Sequence, residues 1–299
     1  MFSIRYQSRI RYKDNGEPRK TRLGFQNRKR MPSHVRQTER SYKKRKAIKG
    51  PVRAYKGMTW HMTSERRDKF EVGKTYKCEQ ARIRKSGFHA CLNPYHVLDY
   101  FTLYHGRWCE VELNGQIDSC DHMLCATEMK VIRQLSDREV IEAFIANKDF
   151  HTEAYDVIYS EENDDDCYSE RHGFIVHSKG KNAWIEGEVD CMYVLSDGDD
   201  ATILSEEWST NSLILSYGNN AKITSVSSSR IEVYGKGTKL ELTGTNHALK
   251  LSEGTEVHYR GKMLIAGKDF KADVYYVTEK GKLTLMNNRE PEVEKAITK

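Results

Sequence analysis

The stretch KSGFHACLNPYHVLDYF, residues 85–101, gathers side chains suited to chemistry. Phe88, His89 and Cys91 follow Gly87, and Tyr95, His96, Asp99, Tyr100 and Phe101 follow Asn93-Pro94. An imidazole or a phenol offers a flat face to a planar ring, and a glycine lets backbone approach a ligand closely. Lys56 and Gly57 in AYKGM, and Glu128 in ATEMKVIRQL, extend the set. A lysine neutralises a phosphate or holds a ribose hydroxyl, and a carboxylate stabilises positive charge developing on a sugar. The expectation is a pocket in which Gly87 and His89 form one wall, Tyr100 and Lys56 flank it, and Glu128 lies across the opening. Each residue also has a plainer role: His89 as a hydrogen-bonded core histidine, Tyr100 as core, Glu128 as an exposed strand residue.

A metal centre is the competing chemistry. CDHMLC offers Cys120, His122 and Cys125, with His89, Cys91, His96, His105 and Cys109 upstream. Zinc favours tight ligand pairs such as C-x₂-C, whereas Cys120 and Cys125 are separated by four residues and no second pair matches them. No metal site is therefore expected. Phosphate-binding loops, Ser-His-Asp orders and nucleotide-fold glycine fingerprints are missing from the sequence.

These residues must be positioned by short elements. VRAYKGM and GRWCEVELNGQID read as strands, as does ATEMKVIRQL. NPYHVLDYF reads as a helix with Asn93 as cap and Pro94 at its first position. SDREVIEAFIANK reads as a helix opened by a Ser136–Glu139 capping box. The result is an α+β domain over 51–150. An acidic stretch, SEENDDDCYSER, lies in an expected solvated bridge over 151–181.

From about residue 182 the pattern changes. Ile185, Val194, Ile203, Leu213, Ile223, Ile231, Leu240, Leu249 and Val257 recur every 8–10 residues with turn residues between them. Ala183, Ala201, Ala221, Ser229, Thr238 and Thr255 each stand two residues before one of them. A short repeat of this kind indicates stacked strand-turn units sharing one core, a β-solenoid over 182–275 followed by a cap and tail over 276–299. A β-sandwich spaces its strands similarly; the small-x-aliphatic regularity favours the solenoid.

Net charge is +6, but its distribution is uneven. Residues 1–49 hold 17 Lys/Arg and 3 Asp/Glu, whereas residues 50–299 hold 32 and 40. A basic arm over 1–50 thus precedes a mildly acidic body, and its expected partner is nucleic acid or another polyanion. The candidate contacts are Arg28, Lys29, Arg30, Arg36, Arg40, Lys43, Lys44, Arg45 and Lys46. FSIRYQSRIRYK and KTRLGF, joined at Asn15-Gly16, read as a hairpin, and PSHVRQTERSYKKRKA as a short basic helix, mobile until a partner is bound. The seven cysteines are irregularly spaced, which fits reduced thiols. No apolar run is long enough to span a membrane.

Two resemblances add to this reading. AYKG, FEVGKTY, SGFHACLNPYHVLDYF, RWCEVELNGQI and MKVIRQLS, followed by the β repeats, resemble a family of uncharacterised bacteriophage and prophage proteins over most of 53–260. That resemblance implies a phage origin and an α+β domain joined to a solenoid, and no known activity; the expected place of action is the bacterial host cytoplasm or the virion, with a host protein as a further expected partner. The order of elements over 52–135 also resembles the ADP-ribosyltransferase fold of the diphtheria-toxin and poly(ADP-ribose) polymerase class. It implies NAD as cofactor, with Lys56 where that class has histidine, His89 where it has tyrosine, Tyr100 near the second tyrosine and Glu128 near the glutamate. Two functions follow: a non-enzymatic binding protein, or an NAD-dependent transferase with Glu128 and His89 as catalytic residues.

The arm's charge carries the first prediction. Deleting residues 1–49 should abolish retention on heparin or DNA and flatten its salt dependence, because each neutralised phosphate releases counterions. Equal DNA binding by the truncated body would refute it.

Overall fold

The computed structural model describes residues 20–23, 48, 50–64, 68–104, 106–120, 122–147, 155–170, 173–206, 209–279 and 282–286. Most of the basic arm, including every candidate polyanion contact between 28 and 46, lies outside them. Within the arm, β1 (Lys20–Leu23) is a strand at the position expected for the hairpin's return strand.

A small β domain follows. β2 (Val52–Thr59), β3 (Thr75–Lys77), β4 (Phe88–Cys91), β5 (Gly106–Cys120) and β6 (Met123–Leu135) form one sheet. β2 pairs with both β4 and β5, and β6 also pairs with both. Four strands therefore close on themselves, leaving β3 on the edge of β6. Ala54, Met58, Val111, Leu113, Leu124, Ala126, Met129 and Val131 fill the interior.

The domain is mostly β, with few helices. Among the described residues its helix is confined to α1 (Asp137–Ala146) and a six-residue 3₁₀ turn, Pro94–Asp99, where a longer helix is expected. Asn93 caps that turn by accepting from the Tyr95 amide at 2.8 Å. Ser136 and Glu139 form the expected capping box at the start of α1.

The remainder is a β-solenoid of six coils, each built from two strands. In order they are β7 (Tyr155–Ser160) with β8 (Asp165–Ser169), β9 (Gly173–Ser178) with β10 (Trp184–Gly187), and β11 (Cys191–Ser196) with β12 (Thr202–Ser205). Next come β13 (Ser212–Ser216) with β14 (Lys222–Ser225), β15 (Ser229–Val233) with β16 (Lys239–Leu242), and β17 (Ala248–Leu251) with β18 (Glu256–Tyr259). Odd strands stack in parallel as one sheet and even strands as the other. β1 pairs in parallel with β8 and so precedes the first coil. β19 (Lys262–Ile265) turns back on β18, while β20 (Tyr275–Glu279) and β21 (Lys282–Leu285) finish the odd sheet with antiparallel pairs.

Three expectations change here. The nine-residue spacing is half a coil, because successive aliphatics alternate between the two sheets. Ile185, Ile203, Ile223, Leu240 and Val257 are in register on the even sheet, and Val176, Val194, Ile214, Ile231 and Leu249 on the odd one. Ile214, not Leu213, points into the shared core; Leu213 faces the other way, into the cluster formed with the β domain. The acidic stretch over 151–181 is not a solvated bridge but supplies β7, β8 and β9, with Asp165 and Asp166 buried. Asp165 is held by a short hydrogen bond from Ser160.

One edge of the solenoid is unusually regular. Gly198, Gly218 and Gly235 each lie so close to the preceding coil that an added Cβ would fall 1.8–1.9 Å from the carbonyl oxygen of Gly180, Gly198 and Gly218 respectively. Two residues after Gly180, Gly198 and Gly218, the residues Asn182, Asp200 and Asn220 adopt left-handed backbone with φ between 56 and 60°, which short amide and carboxylate side chains tolerate. Their side chains link coils, Asn182 donating to Asp164 at 2.6 Å and Asn220 to Asp200 at 3.2 Å.

The odd sheet is buried on both faces. Its outer residues Ile175, Tyr193, Leu195, Leu213 and Leu215 pack against Tyr95, Leu103, Trp108, Val140, Ile141 and Phe144 of the β domain and α1. Arg138 grips Asp197 with two bonds of 2.7 and 2.8 Å, and His177 reaches the same carboxylate at 2.9 Å. Partial burial pushes the Asp197 carboxyl upward, but His177 and Arg138 outweigh it and hold it at about 2. No helix among the described residues is long and apolar enough to cross a membrane.

The register generates a stability test. Ile223→Asp and Leu240→Asp each place an unpaired charge in the shared core and should destabilise by at least about 3 kcal/mol in urea unfolding. Ser227→Asp, in the turn after β14, should stay within about 0.5 kcal/mol of the parent. Equal tolerance at all three positions would be incompatible with the inward register.

Candidate functional site

A cavity of about 770 Å³ opens where β2, β4 and the 3₁₀ turn meet the segment between β2 and β4. Lys56, Gly57, Gly87, His89 and Tyr100 all line it. They come from elements that antiparallel pairing draws together: Tyr55 of β2 lies opposite Cys91 of β4. The 3₁₀ turn then carries the chain back so that Tyr100 and Phe101 face the same space.

Lys56 and His89 are joined directly. The Lys56 ammonium donates to the His89 carbonyl at 2.9 Å and stands 5.9 Å from the centre of the Phe70 ring. The His89 ring is fixed by the Arg84 amide, which donates to Nε2 at 2.8 Å. A nitrogen that accepts carries no proton, so this imidazole is neutral with its proton on Nδ1, 3.9 Å from Cys125 Sγ. Cys125 in turn donates to the Ser86 carbonyl at 2.8 Å. Burial pushes the Cys125 and Cys91 thiols up to about 12, so neither is a thiolate nucleophile at neutral pH.

The two glycines serve packing as well as lining. A Cβ on Gly57 would lie 2.6 Å from the Phe101 ring, so that ring rests on bare backbone. Gly87 has φ of +94°, and a Cβ there would lie 2.7 Å from Cys125 Sγ and 3.0 Å from the Ala126 carbonyl. Its close approach is to β6. Tyr100 is 40 % exposed, and burial of the remainder, with Cys91 and Asp99 nearby, raises its phenol. Its hydroxyl lies 3.4 Å from His122 Nε2.

Glu128 stands apart. It is absent from the cavity lining and is paired across strands with Lys77 at 3.1 Å. Lys77 itself lines the cavity, together with Arg84, Asp68, Ser64 and Phe70. Sequence reasoning missed these five because they lie in a segment with little regular structure and no apolar period. The available signal was the basic run in ARIRKSG immediately before Gly87. All seven cysteines are free, and Cys120 and Cys125 belong to no three-ligand cluster among the described residues.

Residues 52–143, from β2 into α1, match a family described as a domain of unknown function (DUF7666). No curated protein and no solved structure matches the chain.

Gly87→Ala should cost about 1–3 kcal/mol in thermal or chemical unfolding, since it combines a left-handed residue with overpacking against β6. His89→Ala removes the acceptor of the Arg84 amide from a partly exposed site and should cost less, about 1 kcal/mol. The reverse order would show that Gly87 does not hold β4 against β6.

Proposed function

We propose that the chain is a binding protein whose β domain takes an anionic, ring-bearing small molecule of the nucleotide class. The observation that carries this reading is the cavity's composition. Lys56, Lys77 and Arg84 line it with a single carboxylate, Asp68, and with four aromatic side chains, Phe70, Phe88, Tyr100 and Phe101. Cationic groups recognise phosphate and aromatic faces stack on a base, a combination that suits a nucleotide better than a neutral apolar ligand.

Binding is favoured over group transfer. An ADP-ribosyltransferase-like reaction on NAD needs a carboxylate within reach of the ribose, and Glu128 is outside the lining and engaged by Lys77. His89, the other residue considered for catalysis, already uses its basic nitrogen to accept from Arg84. The basic arm adds a second contact, to nucleic acid or another polyanion, and the solenoid offers a rigid surface. The phage setting of this reading rests on the sequence resemblance over 53–260.

Calorimetry on the full chain with AMP, ADP, NAD and adenosine tests the reading. The phosphorylated ligands should bind, adenosine more weakly, and Lys56→Met and Arg84→Gln should each weaken binding by roughly tenfold, as loss of a charge-assisted contact does. Release of nicotinamide from NAD should be undetectable. Adenosine binding as tightly as ADP, or no binding of any at millimolar concentration, would reject the nucleotide class. Nicotinamide release abolished by Glu128→Ala would replace binding with transfer.

A further inference from the structure

The 3₁₀ turn beside the cavity sets up a second arrangement. With three residues per turn, side chains at i and i+3 eclipse, so His96 and Asp99 emerge on one face. The hairpin between β5 and β6 brings His122 onto that face, tied down by the Leu92 amide, which donates to the His122 carbonyl at 3.3 Å. The His96 and His122 rings stack with centres 4.4 Å apart and planes inclined by 25°. Asp99 Oδ2 lies 3.5 Å from His122 Nε2. One donor atom from each of the three residues lies within 4.8 Å of the other two.

An unsatisfied atom points to a missing partner here. His96 Nδ1 is buried and has no hydrogen-bond partner among the described residues, an uncommon state for a polar atom shut off from water. The other three-residue cluster, Glu186, Glu188 and Glu206, is purely acidic, and Glu186 there accepts from Trp184 at 2.8 Å.

We propose that His96, Asp99 and His122 bind a divalent transition cation of the zinc class. Two imidazoles and one carboxylate suit zinc, cobalt or nickel, whereas magnesium and calcium require mostly oxygen ligands. Zinc–ligand bonds of about 2.0–2.2 Å in a tetrahedron put donor atoms roughly 3.4 Å apart. Asp99 and His122 already have that spacing, and rotation of the His96 side chain closes the set. Three protein ligands leave the fourth position for water or for the neighbouring Tyr100 hydroxyl. This site uses neither cysteine nor the nucleotide reading of the cavity, and it revises the expectation that the chain holds no metal.

The test uses the full chain, stripped with chelator and titrated with Zn²⁺ against a chromogenic competitor, with Mg²⁺ and Co²⁺ in parallel. The proposal expects one Zn²⁺ site, preferred over Mg²⁺, and a visible Co²⁺ spectrum of a low-coordinate nitrogen–oxygen site. Asp99→Asn and His122→Ala should each weaken Zn²⁺ binding by at least about tenfold, the scale expected when a metal site loses a supporting group. Asp99 is 41 % exposed at its side chain, so Asp99→Asn should retain the parent melting temperature and keep the test valid if His122→Ala fails to fold. Zn²⁺ affinity unchanged in folded Asp99→Asn, or no preference for Zn²⁺ over Mg²⁺ in the parent, would overturn the site.

Discussion

Arg230 has no exposed side-chain surface, and much of the arrangement of this chain follows from that burial. A cation removed from water costs several kcal/mol unless it is paired. Arg230 lies on the outer face of β15, next in register to Leu213, where the odd sheet would otherwise present an apolar surface. The β domain supplies the compensation. Asp137 reaches Arg230 at 2.7 Å from the first turn of α1, where a helix N-terminus also favours negative charge. Glu232 approaches it from the same strand at 3.8 Å and is bonded by Tyr234 and Tyr275. Trp60 meets two cations, with Arg107 at 3.4 Å and Arg230 at 5.3 Å from its ring centre. Burial pushes the Asp137 carboxyl upward and Arg230 pulls it back. This cluster fixes where α1 rests on the solenoid, and α1 in turn backs the 3₁₀ turn through the edge-on packing of Tyr95 against Phe144. The cavity and the histidine pair therefore sit on a base that cannot shift without exposing a charge to an apolar interface.

The legible parts of the sequence were those with local signals. The capping box at Ser136, the cap at Asn93 and the strands at 52–59, 106–120 and 123–135 could be read because short-range hydrogen bonds and alternation determine them. The solenoid was legible from its aliphatic spacing, but its coil length was not. Two strands per coil, both presenting aliphatics to one core, give a repeat at half the true period. Ile214 was hidden by Leu213 because the odd sheet is apolar on both faces, which removes the alternation that assigns a side. The acidic stretch is illegible for a related reason: Asp165 and Asp166 are buried, and composition reports only charge.

In the candidate site, the convergence of Lys56, Gly87, His89 and Tyr100 came from motif order, whereas the placement of Glu128 depended on the β3–β6 pairing. Three-residue β3 gives almost no sequence signal, yet it sets Lys77 opposite Glu128. The His96–Asp99–His122 group was obscured because cysteine spacing drew the metal argument toward CDHMLC. The eclipsing of His96 and Asp99 appears only once the helix is known to be 3₁₀ rather than α.

The stacked glycine edge has a consequence for how this solenoid can vary. From Ser178 to Ile185, Ser196 to Ile203, Ser216 to Ile223 and Val233 to Leu240 the chain always takes seven steps. Across the opposite edge, Ile185 to Val194, Ile203 to Ile214 and Ile223 to Ile231 take nine, eleven and eight. The glycine edge thus acts as a hinge pin that sets the rise from coil to coil, and the other edge as slack that absorbs changes in length. An extra residue in the slack edge lengthens one loop and leaves the ladders in register. The same residue inserted beside Gly198 or Gly218 would shift every strand above it by one place and turn core side chains outward. Such a molecule can gain or lose surface loops along one border while the other remains fixed as its ruler.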